Sequence, residues 1–278
     1  MTSKKMATAI IAVALVLGKA ATAAETHAPR FAVIDWFPFG YEVQGGIQKG
    51  IFIDVTRALS KALNVESEII VASAPRVYRG IRVGEFDFTY SYHDTAEKEG
   101  FEPLIDIGCL RPTIVSFKRF PIKSVDQLHG KTIAFPLVGY FVRNLLPNYR
   151  IRGFAVPRTE MMFKMALRGR IDGFIINDAI WQAYKNNMHP EFNIPKARWA
   201  EFEEPLYIER LPVSLSVSYN SNHMPLARAI KDIVHNKAFL LELAQIYDKY
   251  SEGSSLGCFS ERASSVSSTL KPGHAPLD

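Results

Sequence analysis

Apolar residues in this chain fall into short runs separated by stretches of helical period. Phe31-Ala32-Val33-Ile34 is a run of strand type, and it ends in the loop Asp35-Trp36-Phe37-Pro38-Phe39-Gly40. Beyond Gly45, Gly46 and Gly50, the residues Phe52, Val55, Ala58, Leu59 and Ala62 recur at helical spacing, which predicts a helix with one buried face and Asp54 placed to cap it. Residues 68–71 then read as a strand, 76–83 as a short helix and 86–90 as another strand. The alternation returns downstream: strand 132–135, helix near 140–146, strand near 151–155, helix 159–168, strand 173–176 and helix 179–187. Strands alternating with helices in this way predict an α/β sheet.

One motif occurs twice. Gly84-Glu85-Phe86-Asp87 closes a helical stretch and opens an apolar strand, and Gly169-Arg170-Ile171-Asp172 does the same. Each glycine suits the left-handed position that ends a helix. The simplest account is two similar α/β units in tandem. The β-rich stretches 112–117 and 212–219 join the halves, and helices follow at 225–235 and 238–250. If those helices pack back on the first unit, the chain crosses between units twice. A two-strand hinge of that kind places a cleft between the units, and domain interfaces are favoured ligand sites.

Composition sharpens the class. The chain has 278 residues, 47% hydrophobic and 22% charged, which is ordinary globular composition and excludes disordered, collagenous and coiled-coil chains. At about 150 residues per domain this length holds one large domain or two modest ones. The formal charge is +5, but Lys4, Lys5 and Lys19 account for three of it, leaving +2 on the rest. Such a body is no nucleic-acid binder, which needs Lys and Arg clustered on one face. Those lysines flank an apolar run, residues 6–17, too short for the roughly 20 residues that span a bilayer. Ala21-Thr22-Ala23 follows as a small-x-small cleavage site, so residues 1–23 read as a secretory signal peptide cleaved near Ala23. The mature chain is expected to be periplasmic, with a loose Ser-, Gly- and Pro-rich tail over 260–278.

In an oxidising compartment Cys109 and Cys258, the chain's two cysteines, can pair or stand as separate thiols, and sequence leaves both open. A bridge closing so long a loop is worth about 4–5 kcal/mol on the chain-entropy model. The histidines are scattered, with no His-x-x-x-His pair and no Cys-His cluster, so neither a metal nor a cofactor is expected.

The order of motifs resembles the periplasmic solute-binding proteins of ABC importers, in particular the polar amino-acid-binding family. The matching pieces are Trp36-Phe37-Pro38-Phe39, Gly50-x-x-x-Asp54, Gly84-x-x-Asp87, Asp126-Gln127-Leu128-x-Gly130-Lys131 and Gly169-Arg170-Ile171-Asp172. The resemblance implies the Venus-flytrap fold: two α/β lobes joined by a two-strand hinge, here with 31–112 plus 216–259 as one lobe and 118–211 as the other. It also implies a monomer that captures a small polar or amino-acid-like ligand and delivers it to an ABC permease at the inner membrane. A ligand-sensing role, or a dehydratase acting on cyclic acids with His93, Asp94, Glu97 or Glu99 as acid or base, stands as the alternative.

By the same resemblance Trp36, with Phe39 beside it, takes the place of an aromatic residue that stacks on the ligand, although a core position is the plainer role for a tryptophan. After the strand ending near Tyr90, the family clamps an α-carboxylate with Ser or Thr and then Arg. Here Ser91 is followed by Asp94, Lys98 and Glu99, with no Arg. Lysine is a point charge without the bidentate fork of guanidinium, so ordinary α-amino acids are expected to bind weakly. Asp94 either faces the cleft, where it would favour an amine, or caps the following turn. Gly139 and Tyr140 stand where the family opens a helix with Gly-Thr. Asn177 stands where the family has a carboxylate for the ligand amine, and Asp178 beside it is placed to cap the next helix.

Overall fold

Two five-stranded sheets, each with helices against its faces, organise the chain. The computed structural model describes residues 27–137 and 150–250. The expected signal peptide, the helix near 140–146, Gly139, Tyr140, Cys258 and the tail lie outside these. The first unit runs β1 (Arg30–Ile34), β2 (Tyr41–Val43), β3 (Ile47–Lys49), α1 (Ile51–Leu63), β4 (Glu68–Ala72), α2 (Ala74–Val83), β5 (Phe88–Tyr92), α3 (His93–Glu99) and β6 (Phe101–Leu110). The second runs β7 (Pro112–Ser116), β8 (Thr132–Pro136), β9 (Arg152–Val156), α4 (Thr159–Leu167), β10 (Gly173–Asn177), α5 (Asp178–Lys185), α6 (Lys196–Trp199) and β11 (Leu206–Tyr207). The chain then returns to the first unit with β12 (Leu211–Ser218), α7 (Met224–Asp232) and α8 (Lys237–Tyr250).

The sheet orders are β4-β1-β5-β12-β6 and β11-β7-β10-β8-β9. Each contains a parallel trio with its first strand in the middle: β4-β1-β5 and β9-β8-β10. Beside each trio runs one antiparallel strand, β12 or β7. The central strands β5 and β10 are buried along their whole length, as parallel strands covered on both faces must be.

The repeated Gly-x-x-Asp motif has the same physical job in both units. Gly84 (φ 76°) and Gly169 (φ 66°) turn the chain out of α2 and α4 in the left-handed conformation. The aspartate then locks the start of the middle strand of the parallel trio, β1 or β8. Asp87 Oδ2 accepts from Arg30 N–H (2.9 Å) and Asp172 Oδ2 from Thr132 N–H (2.8 Å), while each aspartate's own N–H donates back to that residue's carbonyl.

Arg111 alone separates β6 from β7, and the return crossing lies between Tyr207 and Leu211. Pro112–Ser116 therefore belongs to the second sheet and Leu211–Ser218 to the first, so Pro112 and Leu211, the ends of the expected 31–112 and 118–211 segments, each pair in the other sheet. Buried Asp178 fastens the first crossing, accepting from Arg111 N–H (3.0 Å) and Nε (2.7 Å), while its own N–H donates to the Arg111 carbonyl. Asp54 does not cap α1. Gly50, whose φ of 131° and contact with the Phe39 carbonyl exclude a side chain, is the cap residue. Asp54 instead ties α1 to α8 through Lys249 Nζ (2.7 Å) and the Tyr250 hydroxyl (2.9 Å). Cys109, near the end of β6, is disulfide-bonded, and among the described residues there is no helix long and apolar enough to cross a membrane.

Candidate functional site

The carboxyl ends of β1 and β4 face the second unit. After Ile34 the chain turns back on itself: Asp35 N–H donates to the Ala72 carbonyl (2.8 Å), Trp36 N–H to the Gly40 carbonyl (2.7 Å), and Phe39 N–H to the Trp36 carbonyl (2.8 Å). This loop carries Trp36 and Phe37 across the cleft. The Trp36 indole N–H donates to Thr159 Oγ1 (3.1 Å) at the start of α4. The Phe37 ring packs on His189 (4.7 Å between centroids) and Tyr184 (5.6 Å). The two units touch.

Between them lies a cavity of about 410 Å³, walled in part by Asp35, Trp36 and Glu42 from the first unit and by Glu160, His189 and Glu191 from the second. Arg158 supplies the single guanidinium in its wall. Glu160 is the best-anchored of the carboxylates. The Tyr184 hydroxyl donates to its Oε1 (2.5 Å), His189 Nε2 lies 3.0 Å from the same oxygen, and Arg158 Nε lies 3.3 Å from Oε2. Burial acts to raise the Glu160 pKa, but the hydrogen bonds from His189 and Tyr184 outweigh it and hold the carboxyl at about 2. Asp35 behaves oppositely: partial loss of hydration in the cleft raises its pKa, Arg158 lowers it, and Glu160 and Glu42 push it up again. Burial and the Glu160 charge both push the Tyr184 phenol well above its usual range, so it donates and stays neutral.

A second pocket, of about 40 Å³ and largely apolar, lies in the first unit between Trp36, Phe39, Phe52, Tyr78, Tyr90 and Ser91. Trp36 thus lines both spaces, whereas Phe39 and Ser91 line only the smaller. Ser91 Oγ donates to the Tyr92 carbonyl (3.2 Å), and the Tyr90 hydroxyl meets Thr56 Oγ1 (2.8 Å). The space beside Ser91, where the resemblance implies a carboxylate clamp, is walled by aromatic rings.

Asn177 is buried at the end of β10. Its Oδ1 accepts from Ile180 N–H (2.9 Å), which makes Asn177 the cap of α5, and its side chain faces the Tyr92 hydroxyl. Asp178 supports that cap through Ala179 N–H (3.0 Å) but spends its other contacts on Arg111. Asp94 and Lys98 sit on α3, and their side chains lie outside the described residues. His93 and Glu99 do not line the cavity. His93 Nδ1 lies 3.2 Å from Asp106 and 3.1 Å from Ser214 Oγ, and buried Glu99 faces Arg82 at 3.6 Å. The charged cavity residues absent from the sequence-based expectation are Asp35, Glu42, Arg158, Glu160, His189 and Glu191. The local signal at hand was the Arg158-Thr159-Glu160 start of α4, where an acid in the first helical turn favours the helix dipole and so reads as ordinary.

No family model and no curated protein matches the sequence. Solved structures do match. The substrate-binding protein of an amino acid ABC transporter superposes with a TM-score of 0.66 at 18% identity, over 81% of this chain and 100% of that one. The arginine-, lysine-, histidine-binding protein ArtJ from Geobacillus stearothermophilus gives 0.67 at 15% identity, over 83% and 97%. The GluR0 ligand-binding core from Nostoc punctiforme, in complex with L-glutamate, gives 0.62 at 19% identity, over 80% and 98%. The chain has the two-lobed fold of these binding proteins. In that fold β1 and its loop belong to one lobe and α4, Tyr184 and His189 to the other, so the acidic cavity is interlobal. Identities this low extend to the fold, and the ligand has to be argued from the cavity.

Proposed function

We propose that this protein is an exported, monomeric solute-binding protein that captures a small organic cation between its lobes and delivers it to an ABC permease. One observation carries the choice of a cation: four carboxylates, Asp35, Glu42, Glu160 and Glu191, face an interlobe cavity whose single guanidinium, Arg158, is engaged by Glu160. Carboxylates from both lobes attract a positive ligand only when the lobes are together, and a ligand shifts closure by as much as it prefers the closed state. Trp36 adds an aromatic wall that suits a cation or a flat guanidinium. The mechanism is capture without chemistry, and the titratable groups His93 and Glu99 considered for a dehydratase lie off the cavity.

The absence of an Arg in the segment following Ser91 makes the α-carboxylate dispensable. Agmatine should therefore bind at least as well as arginine. A thermal-shift screen of amines, guanidines, neutral amino acids and dicarboxylates tests both statements, since a ligand at 100 times its dissociation constant adds about 2.7 kcal/mol of stability. Stabilisation by cations supports the proposal. Stabilisation confined to dicarboxylates or neutral amino acids refutes it.

A further inference from the structure

A second polar cluster lies at the other end of the first sheet. His27, just ahead of β1, Asp87, just ahead of β5, and His223, at the start of α7, bring their ligand atoms within 4.8 Å of one another. His27 Nδ1 lies 3.8 Å and His223 Nε2 4.0 Å from Asp87 Oδ2, with the two imidazoles edge to face at 5.1 Å between centroids. Asp87 is buried, and His223 Nε2 is buried with no hydrogen-bond partner. Among the described residues this is the only group of three or more His, Cys, Asp and Glu side chains close enough to share an ion.

The repeat within the fold supplies an internal comparison. Asp172 performs the same strand-locking bonds as Asp87 without belonging to any such group, so the backbone task does not call for imidazoles. Asp87 Oδ1 is taken by the Ser221 hydroxyl (2.7 Å) and Oδ2 by Arg30 N–H, which leaves a free lone pair on Oδ2, the oxygen nearest both histidines. We infer that His27, Asp87 and His223 form a binding site for one divalent transition metal of the zinc, nickel or copper class. Two imidazoles and a carboxylate suit such ions and not magnesium. With metal–ligand bonds of about 2.0–2.2 Å, ligand atoms of a tetrahedral site sit roughly 3.4 Å apart, so the donors need to draw in by about an ångström or less along the closest pairs. His27, which is exposed, makes most of that movement, giving up the contacts of Nδ1 with the Ala28 carbonyl (2.9 Å) and of Nε2 with Arg30 Nη2 (3.3 Å). Water completes the shell. β1 runs from this cluster toward the cleft over five residues, roughly 13 Å at the rise of a strand, so the site is separate from the ligand cavity. Its effect is to staple the segment before β1 to α7 through Asp87.

The test is titration of the full exported chain, without a histidine tag, with Zn²⁺ and with Mg²⁺ against a chromophoric chelator. The expected result is one equivalent of Zn²⁺, no competition from Mg²⁺, and at least tenfold weaker Zn²⁺ binding in both His27→Ala and His223→Ala. His129→Ala and His235→Ala should leave the affinity unchanged. Circular dichroism establishes that each variant is folded. Failure of the native chain to take up Zn²⁺, or an unchanged single equivalent in the folded double variant of His27 and His223, overturns the inference.

Discussion

Replacing Asp35 by Asn separates a ligand-binding carboxylate from a structural one, because the two roles predict opposite signs. Asp35 lines the interlobe cavity and is still reached by solvent, and its pKa is raised by partial loss of hydration and by Glu160 and Glu42. Its charge is a burden to the empty protein. A sphere of the cavity's volume, about 410 Å³, has a radius of about 4.6 Å, so a cation held there lies roughly 5 Å from the carboxylates in the wall. At that distance two unit charges attract by about 3 kcal/mol at an effective dielectric of 20 and by about 0.8 kcal/mol in bulk water. Solvent access places Asp35 toward the lower end, about 1–2 kcal/mol. Asp35→Asn should therefore weaken binding of agmatine or arginine by roughly 5- to 30-fold at pH 7 and low salt. It should leave the stability of the empty protein unchanged or raise it by up to about 0.5 kcal/mol, the range of a surface substitution. Calorimetric titration gives the first number and urea unfolding the second. A loss of stability with no loss of cation affinity would mean that Asp35 supports the loop and does not hold the ligand.

The other predictions concern closure, pH and the hinge. Trp36→Phe removes the indole N–H bond to Thr159 across the cleft, so affinity should fall about 2- to 10-fold with little change in melting temperature; equal affinity refutes a role for that bond in closure. Glu160, held at about 2 against an ordinary value of 4.5, contributes stability that is complete above about pH 4.5 and lost as pH falls toward 2, so Glu160→Gln should flatten stability over that window. Cation affinity should decline on acidification earlier than an unperturbed aspartate predicts, because the pKa of Asp35 is raised; affinity that stays level until the ordinary carboxylate range contradicts this. Asp178→Ala strips acceptors from Arg111 N–H, Arg111 Nε and Ala179 N–H at the crossing, and urea unfolding should show a loss of about 2–4 kcal/mol.

Much of the fold can be read from local residues because local physics decides it. Gly84 and Gly169 end helices in the left-handed conformation, Asp87 and Asp172 follow at the same spacing, and β1, β8 and β10 each carry an unbroken apolar run. The crossing points were less legible. Residues 112–116 and 211–218 are strands wherever they pair, and only the partner strand shows to which sheet they belong. The cavity was legible in part. Trp36 stands in a loop that follows a strand, but Asp35 beside it, and Glu42, Glu160 and Glu191 in a hairpin, a helix start and a connecting segment, are each alone an unremarkable surface acid. Asn177 and Asp178 show the reverse difficulty: neighbouring capping-type residues look interchangeable in sequence, and their roles separate only through Arg111 folding against one of them. Histidine spacing likewise predicts no metal site, since His27 and His223 meet through the sheet edge and not along a helix.

The central claim is that the closed cleft selects a small cation. Its most direct test is calorimetric titration of the chain from residue 24 onward at pH 7.5 and low salt with agmatine, arginine and glutamate in parallel. A one-to-one isotherm is expected for the cations, with agmatine at least equal to arginine, and none for glutamate. Binding of glutamate with no response to either cation would contradict it.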